Sequence, residues 1–514
     1  MPALGLRGNK LTAGHVGTVI LPAYICFGYL MAVSSGIEDR ESWVKTFPQL
    51  DTVNTAGAVE TENSRVEGTV IAIFNLGCLF SALGCVFIGD MLGRKKTFML
   101  GLIITIIGSV LQSSSFSLAQ LTIGRFITGL GFGAVSATGP NWQSETTTPT
   151  LRGFVVMLQS TFLCTGLALA GWLEYGLTFV EGSVTWRLPL AFPAFLCLIS
   201  LSWAPVWPDS PRWLIKKGRI DEARDVLALL LDTEVTSEEV VRQIEEIEAS
   251  LQETGKGSFK DIFRNGSGRF ANRAFIAIAT QMGQQICGAN AITFYQTTIF
   301  KKFLGMKGSM PVLMSAVLFS WKVLIAPVGA LIVDKAGRRK LLILAFGGMG
   351  ICMAVMGGCI SQTNNKAAID TAVVFIFLYV FFYVTGCIGL TYLYCSEIAP
   401  LAVRTQITGL STGSSWLFNF LVVEVTPSGF SSLSWKYFIV FAAINLILLV
   451  PMVYFFFPET KNLHLEAIDN IFLDSKHIFQ PVRAADKLRK HYREGTGGEL
   501  SSEEKASEIH KENV

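Results

Sequence analysis

Long apolar runs alternate with short polar and charged segments along most of this chain. Each run is about twenty residues long, which is the length of an α-helix that crosses a bilayer. Runs of this kind recur twelve times, so the pattern predicts an all-α membrane protein with twelve transmembrane helices. The predicted spans are 13–36, 67–88, 97–116, 121–143, 153–175, 187–205, 271–298, 311–333, 341–361, 371–395, 403–425 and 433–457.

Composition agrees with a membrane protein and argues against several other classes. The 514 residues are 51% hydrophobic and only 16% charged, whereas soluble domains carry about 25% charged residues. All ten cysteines fall inside apolar spans and the five histidines are scattered, so we expect neither a disulfide framework nor a metal site. No nucleophile–base set is visible, and we expect no enzyme activity, no cofactor and no nucleic-acid partner.

The basic residues of the short loops set the expected orientation. Three basic clusters, Arg94–Lys96, Lys216–Arg219 and Arg338–Lys340, follow the second, sixth and eighth spans. The positive-inside rule places these loops, and with twelve spans both termini, in the cytoplasm. The first apolar stretch is too long for a signal peptide, so we expect it to stay as the first span. The stretch 37–66 is then outside, and it is acidic.

Three short signatures recur at nearly one offset. GDMLGRKK after the second span matches VDKAGRRK after the eighth, with Asp90 and Asp334 separated by 334 − 90 = 244 residues. SETTTPTLRG after the fourth span matches SEIAPLAVRT after the tenth, with Glu145 and Glu397 separated by 397 − 145 = 252. PDSPRWL after the sixth span matches PETKNLHLE after the twelfth, at 458 − 208 = 250. The pattern predicts two pseudo-symmetric six-helix bundles.

The polar segments divide the chain further. We expect an N-terminal bundle over 1–205, a cytoplasmic linker over 206–268, a C-terminal bundle over 269–457 and a cytoplasmic tail over 458–514. In the linker, IDEARDVLALLL and TSEEVVRQIEEIEASLQE predict two amphipathic helices, and Thr236 with Glu239 predicts a capping box for the second. The tail turns polar after Val482, and we expect its end to be disordered.

At these motifs the chain resembles the sugar porter family of the major facilitator superfamily. The resemblance covers roughly 13 to 470, and it is most specific in PDSPRWL, PETKNL, GRRK and the paired Glu–Arg loops. The later spans, with YLYCSEIAPLAVR and WLFNFLVVEVTP, are similar to those of fungal hexose and disaccharide permeases. The resemblance implies a transporter that alternates between two states, working as a monomer in a lipid bilayer, with the plasma membrane as its expected location.

The loop charges suggest a conformational latch. Acidic and basic groups at helix ends can dock on neighbouring helix termini, and ion pairs of this kind can form a two-state element. The resemblance implies that such pairs hold the outward-facing form, while the alternative is a basic loop that only sets topology. The predicted latch residues are Asp90, Arg94, Glu145, Arg152, Asp334, Arg338, Glu397 and Arg404.

The seventh span carries the strongest candidate for a sugar site. Its sequence QMGQQICGANAITFYQ places three amides and two aromatic rings in one apolar span, where amides are costly unless protein or ligand satisfies them. Interhelical hydrogen bonding is the alternative. The resemblance assigns sugar contacts to some of these residues and to the eleventh span. The candidates are Gln284, Gln285, Asn290, Phe294, Tyr295, Trp416 and Asn419.

Other positions of the pocket depart from the family pattern. Tyr392 stands where the family usually has tryptophan, Ser160 stands where it has a glutamine, and Lys322 stands where it has an asparagine. Gln159 lies one residue before the altered position. We include all four among the candidate substrate-binding residues and expect the N-terminal half of the pocket to have lost some of its amides.

The coupling position is the sharpest departure. In proton-coupled relatives an acid follows FGY and pairs with the arginine of the fourth span, but here FGY is followed by Leu30, while Arg125 is kept. Leucine carries no proton, so the sequence predicts a facilitative sugar uniporter. Alternatives remain open: a pocket for a sugar acid or quinate-like anion beside Arg125 and Lys322, a metabolite efflux transporter, or a non-transporting nutrient sensor. Lys322 could also snorkel or pair with Glu424.

Overall fold

The computed structural model describes residues 5–38, 40–52, 54–147, 152–253, 259–263, 269–362, 365–400, 403–461, 468, 471–473 and 480–494. Within these helices, the side chains of 86–87, 90, 152–157, 250, 252–253, 259–260, 330, 334, 405 and 488–494 are outside the description. The latch predictions at Asp90, Arg152 and Asp334 therefore concern side chains that lie outside the described set. Throughout the described ranges the secondary structure is helical, without a strand.

The helices follow the predicted order, with shifted ends. The first six spans are Gly8–Ala32, Ala58–Leu92, Arg94–Ser113, Leu118–Glu145, Arg152–Gly176 and Val184–Trp203. The last six are Phe270–Ile286 continued by Ala289–Phe294, then Met310–Ala336, Arg338–Ile360, Lys366–Gly386 continued by Leu390–Ile398, Arg404–Leu433 and Lys436–Phe456.

Ten described helices are long and apolar enough to cross a membrane, where the sequence predicted twelve. The two exceptions have physical reasons. The seventh span is broken, and its longest piece, Phe270–Ile286, has 17 residues. The eleventh, Arg404–Leu433, has 30 residues but is interrupted by polar side chains. These two helices carry most of the predicted sugar contacts. The polar side chains that lower their hydropathy therefore include the predicted contacts.

The apolar core is divided between the two halves of the chain. One large buried cluster is built mainly from the last six spans and two smaller ones from the first six. The halves meet where the second span packs on the eleventh, the fifth on the eighth and the first on the seventh. Close approach is possible because small residues lie there, for example Gly68 beside the backbone of Glu424 and Gly171 beside Ala316.

The linker contains three described α-helices, Pro211–Lys216, Ile220–Leu231 and Glu238–Glu253, and a short 3₁₀ helix, Phe259–Phe263. The second and third confirm the two predicted amphipathic helices, while the first was not predicted. The predicted capping box was wrong by one residue, because the Ser237 hydroxyl accepts the N–H of Val240 at 3.4 Å. Apolar linker side chains share a core cluster with the first half, and Trp207 donates through Nε1 to Thr18 Oγ1 at 2.9 Å. We call the end of the helix bundles on which the linker helices pack the linker side, and the opposite end the far side.

The repeated loop signatures occupy matching positions in the two halves. After the second span, the carboxylate of Asp209 accepts the backbone N–H of Lys95 at 3.3 Å. After the eighth, the carboxylate of Glu459 accepts the backbone N–H of Arg338 at 2.7 Å. The two acids are 459 − 209 = 250 residues apart, so the sequence repeat corresponds to a structural repeat. Burial raises the pKa of the Asp209 carboxyl, partly opposed by the N–H groups of Ser210 and Lys95.

The tail beyond the twelfth span is partly helical. A helix over Gln480–Glu494 lies in the region that the sequence predicted to be polar. The predicted disordered end, 495–514, lies outside the described residues.

Candidate functional site

The seventh span is broken in the middle of the molecule. The break falls at Gly288, whose φ of 100° is a left-handed conformation that suits glycine. The helix break frees the carbonyl of Cys287, which accepts hydrogen bonds from Asn445 Nδ2 at 2.8 Å and from the Tyr379 hydroxyl at 3.1 Å. Irregular backbone within a membrane span is tolerated where protein satisfies it and where it lines a cavity.

The predicted amides gather at this break. Gln285 donates through Nε2 to Ser415 Oγ at 2.7 Å, and its Oε1 accepts from Asn290 Nδ2 at 2.5 Å. These two hydrogen bonds link both segments of the seventh span to the eleventh span. Gln285 and Asn290 are buried, and each keeps further hydrogen-bonding capacity that a ligand could use.

Two further amide oxygens, on the seventh and eleventh spans, accept no hydrogen bond from the residues that the structure describes. Gln284 donates weakly through Nε2 to the carbonyl of Cys387 at 3.4 Å. In the described part of the chain, neither Gln284 Oε1 nor Asn419 Oδ1 meets a hydrogen-bond donor, although both residues are buried. A buried acceptor left without a donor costs about 1–3 kcal/mol. A bound hydroxyl group would relieve that cost, which makes these atoms candidate contacts for a polyhydroxyl ligand.

Aromatic side chains from both halves pack together beside the eleventh span. Trp416, buried on the eleventh span, lies 6.1 Å from the ring of Phe27 on the first span, and Phe27 lies 4.7 Å from Phe132 on the fourth. Tyr392 is 46% exposed, unlike its neighbours Thr391 and Tyr394. Flat apolar rings of this kind can cover the C–H face of a sugar ring while the amides hold its hydroxyl groups.

Other predicted substrate-binding side chains pack against, or form hydrogen bonds with, other parts of the protein. Tyr295 donates its hydroxyl to the carbonyl of Val423 at 2.9 Å, and Phe294 is fully buried. Gln159 is hydrogen-bonded to Gln143 on the fourth span, and Ser160 is partly buried. These four candidates remain near the seam between spans, but their polar or aromatic groups are already packed.

Lys322 lies buried between the two halves. Its ammonium donates to Thr293 Oγ1 at 2.9 Å and stands 5.1 Å from the centre of the Phe319 ring. Glu424, the partner considered from the sequence, instead accepts from Thr69 Oγ1 at 2.8 Å, and no ion pair between Lys322 and Glu424 occurs among the residues described.

The surroundings of the coupling position differ from the sequence expectation. Leu30 is buried in the apolar core of the first half. Arg125 is also buried and donates through Nη2 to the carbonyl of Ile71 at 3.2 Å. The sequence left Arg125 without an acidic neighbour, but Glu38 lies within electrostatic range of it. Glu38 was missed because it lies beyond the apolar run, where it looked like one more acid of an external loop.

The described latch pairs form inside each half. Arg94 Nε lies 3.2 Å from Glu145 Oε2, and Arg338 Nη2 lies 3.0 Å from Glu397 Oε1. Each arginine begins the third helix of its half and each glutamate lies at the cytoplasm-predicted end of the fourth, so neighbouring helices are joined rather than opposite halves. Arg404 donates through Nε to the carbonyl of Ala399 at 3.1 Å.

The two sides of the membrane domain differ in closure. On the far side, Lys302 of the second half reaches Glu60 of the first at 2.5 Å, and Tyr295 and Phe294 are buried. On the linker side, Asn141 of the fourth span and Tyr392, in the second segment of the tenth span, are exposed. At these residues the far side is therefore more tightly packed than the linker side.

Known proteins that are similar to this chain are transporters. The model of the "Sugar (and other) transporter" family matches residues 16–472. The MFS-type transporter oryC of Aspergillus oryzae is 35% identical over 92% of this chain and 87% of its own length. The sugar transporter STL1 of Saccharomyces cerevisiae is 32% identical over 95% and 86%. The hexose transporter HXT10 of the same yeast is 29% identical over 87% and 82%.

Solved structures share the fold. The proton:xylose symporter XylE bound to 6-bromo-6-deoxy-D-glucose superposes with a TM-score of 0.74 at 21% identity, covering 88% of this chain and 98% of XylE. The inward-open form of XylE from E. coli gives 0.71 at 21% identity, covering 87% and 96%. The fold is therefore that of a twelve-helix major facilitator. The family match and the relatives named as sugar and hexose transporters favour sugar transport over the sugar-acid, efflux and sensor alternatives. The chain belongs to the sugar (and other) transporter family.

Proposed function

We propose that the central cavity at the break of the seventh span is the sugar site. The observation that carries this proposal is the hydrogen-bonded chain of Ser415, Gln285 and Asn290 beside the two donor-less oxygens of Gln284 and Asn419. Sugar hydroxyl groups both donate and accept, so they suit such a mixed set. Trp416 supplies the apolar face, and the exposed Tyr392 supplies a second ring.

The protein works by alternating access between two bundles, 1–205 and 269–457, joined by the linker 206–268 and followed by the tail 458–514. We propose that the linker side faces the cytoplasm, as the positive-inside rule predicts from the basic loops. The proposed location is the plasma membrane, with the far side facing outside. The structure then corresponds to a state that is closed to the outside and releases sugar inward. The residues of the proposed sugar site all come from one protomer, so we propose a functional monomer.

In each bundle, the loop ion pair joins two helices and responds to a change in their spacing. Arg94–Glu145 and Arg338–Glu397 hold the third and fourth helices of a bundle together at their cytoplasmic ends. Their side chains are only 11–17% exposed, so they are less screened by solvent than surface pairs. A change in the spacing of these helices would strain both pairs, which ties loop geometry to the transport state.

Counterflow in proteoliposomes tests the proposed function. Purified protein is reconstituted with D-glucose inside, and entry of labelled D-glucose is followed while unlabelled hexoses, pentoses, disaccharides and sugar acids compete outside. The expected result is saturable exchange that neutral sugars inhibit more strongly than galacturonate. Failure of every neutral sugar to exchange or compete, with protein that remains folded, would contradict the proposal.

A further inference from the structure

The tail helix, Gln480–Glu494, lies beside the last turns of the twelfth span. It packs on the segment Val450–Phe456 of that span. Tyr454 and Phe455 of this segment are 55% and 53% exposed. Exposed aromatic side chains at the end of a membrane span are typical of the boundary between hydrocarbon and headgroups. The contact therefore holds the tail helix at the level of the membrane surface.

The segment that leads to the tail helix is fixed to the second bundle. Ile468, Ile471 and Phe472 are buried. The ring centre of Phe472 lies 4.7 Å from the guanidinium carbon of Arg273, at the start of the seventh span. Arg273 also donates through Nε to the carbonyl of Ile398 at 2.7 Å, at the end of the tenth span. These contacts keep the tail close to the linker-side end of the second bundle.

The tail helix has an apolar face on the protein and a charged face that protein leaves uncovered. Val482 and Ala485, three positions apart, are buried. Arg483 and Lys487, four positions apart, are exposed and are neighbours on the helix surface. Asp486 is exposed as well. The helix thus uses its small apolar residues to bind the twelfth span and keeps two basic side chains available for a partner.

Positive charge dominates the tail helix. Its 15 residues include five Lys or Arg and two Asp or Glu, which leaves a net charge of 5 − 2 = +3. This equals the formal net charge of the whole chain. Clusters of about four to eight basic residues on the cytoplasmic side of a membrane span, or on an amphipathic helix, are typical of segments that bind anionic lipids.

The basic loop after the eighth span extends this positive surface. Arg339 donates through Nη2 to the carbonyl of Tyr454 at 2.6 Å, and its guanidinium carbon lies 5.1 Å from the centre of the Tyr454 ring. Lys335 and Lys340, on either side of Arg339 in sequence, are exposed. The loop and the tail helix therefore contact the same end of the twelfth span, and their positive charges border the same part of the membrane surface.

We propose that the tail helix and this loop form a docking surface for the anionic phospholipid headgroups of the cytoplasmic leaflet. The inference rests on the orientation in the proposed function, with the linker side in the cytoplasm, where the leaflet carries the anionic lipids. Arg483 and Lys487 contact the headgroups, while Val482 and Ala485 hold the helix on the twelfth span. Lipid charge thereby fixes the linker-side end of the second bundle at the membrane surface, whether or not sugar is bound.

Hydrogen–deuterium exchange of the full-length protein tests this docking surface without any sugar. The protein is placed in lipid nanodiscs of phosphatidylcholine alone or with added phosphatidylserine, and amide exchange in Gln480–Glu494 is followed by mass spectrometry. One basic residue near an anionic surface strengthens binding roughly fivefold. We therefore expect exchange in the tail helix to be at least about fivefold slower in the phosphatidylserine discs. High salt should abolish the difference, because it screens the charges.

Paired variants assign the effect to the exposed basic residues. Arg483→Gln with Lys487→Gln should lose most of the slowing, because two charges are removed and the buried face is kept. If that double variant does not fold, Lys487→Gln alone should lose about a factor of five. Arg483→Lys should keep the slowing, since the charge is unchanged. The control Arg224→Gln with Arg242→Gln removes two partly exposed charges from linker helices and should behave as the wild type.

Three results would overturn the proposal. Equal exchange in neutral and anionic discs would mean that protein alone holds the helix, for example the acidic linker helix Glu238–Glu253. Equal loss of the slowing in the control pair would mean that total charge matters rather than this surface. Slowing by inorganic phosphate in neutral discs would indicate a site for a free anion. These readouts depend neither on transport nor on sidedness, so they separate failure of the docking surface from failure of the proposed function.

Discussion

Gln285 is the residue on which the sugar site depends most. One side chain satisfies Asn290 and Ser415 at once, so it orders both segments of the seventh span against the eleventh. Its position was predictable because amides stand out in an apolar span. Its partners were not, because Ser415 lies 130 residues away in sequence and only the packing of helices brings it near.

Truncating Gln285 should weaken sugar binding. Gln285→Ala removes one ligand contact and leaves the Asn290 amide without its acceptor, a loss of about 1–3 kcal/mol. We expect the half-saturation concentration for D-glucose counterflow to rise about tenfold, since about 1.4 kcal/mol corresponds to that factor. Gln362→Ala, at an exposed position, is the control and should leave it unchanged. An unaltered half-saturation concentration in Gln285→Ala would remove this residue from the site.

The acidic neighbours of Arg125 could not be predicted from the residue pattern alone. The absence of an acid at Leu30 is plain in the sequence. That Glu38 and Glu67 occupy the same cavity as Arg125 depends on how a loop folds back over the far side. No periodicity encodes that path, so nothing in the sequence pattern distinguishes these two acids from the others of a generally acidic segment.

At the scale of elements, helix order and the repeated loops could be predicted, whereas the breaks could not. The matching loop signatures correctly indicated two halves, and Asp209 and Glu459 now cap equivalent helices. The break at Gly288 lies within an apolar run that looks continuous. It is stabilised by Asn445 and Tyr379, which belong to helices more than ninety residues away.

The break can be tested at Gly288. An alanine Cβ there would lie 2.8 Å from Met353 Cε and 2.9 Å from Phe441 Cγ, and the left-handed backbone costs a non-glycine residue about 1–2 kcal/mol. We expect Gly288→Ala to lower both the melting temperature and the counterflow rate. Gly358→Ala is the matched control, because it adds a methyl group to a helix with open space around it. Equal behaviour of the two variants would show that the break is not required.

The ion pairs at the loop ends predict a measurable coupling. Arg338→Gln and Glu397→Gln should each lower the melting temperature in detergent, and the double variant should lower it by much less than their sum. The exposed linker pair Arg219–Glu222, 46% and 41% exposed, is the matched cycle. Solvent screening should limit it to about 0–1 kcal/mol, with nearly additive shifts. Additive shifts at Arg338 and Glu397 would argue against a role in holding the bundle.

In the proposed transport cycle, the whole molecule alternates between a state closed on the far side and a state closed on the linker side. The far side is sealed by packing of the seventh span and by the pair Lys302–Glu60, which joins the halves. The sugar site meanwhile faces the linker side through Tyr392. The sequence could indicate two halves and a seam between them, but not which end is closed, because both states use the same residues.

Holding the far side closed is the most direct test of sugar transport by alternating access. Glu60→Cys with Lys302→Cys is joined by a short bifunctional, reducible thiol reagent, in protein whose partly exposed Cys85 and Cys359 are replaced by serine. Glu41→Cys with Lys45→Cys, one turn apart on a single helix, is the control. Cross-linking the first pair should abolish D-glucose counterflow and reduction should restore it, whereas the control should keep counterflow throughout. Full counterflow across a completely cross-linked far side would contradict the account.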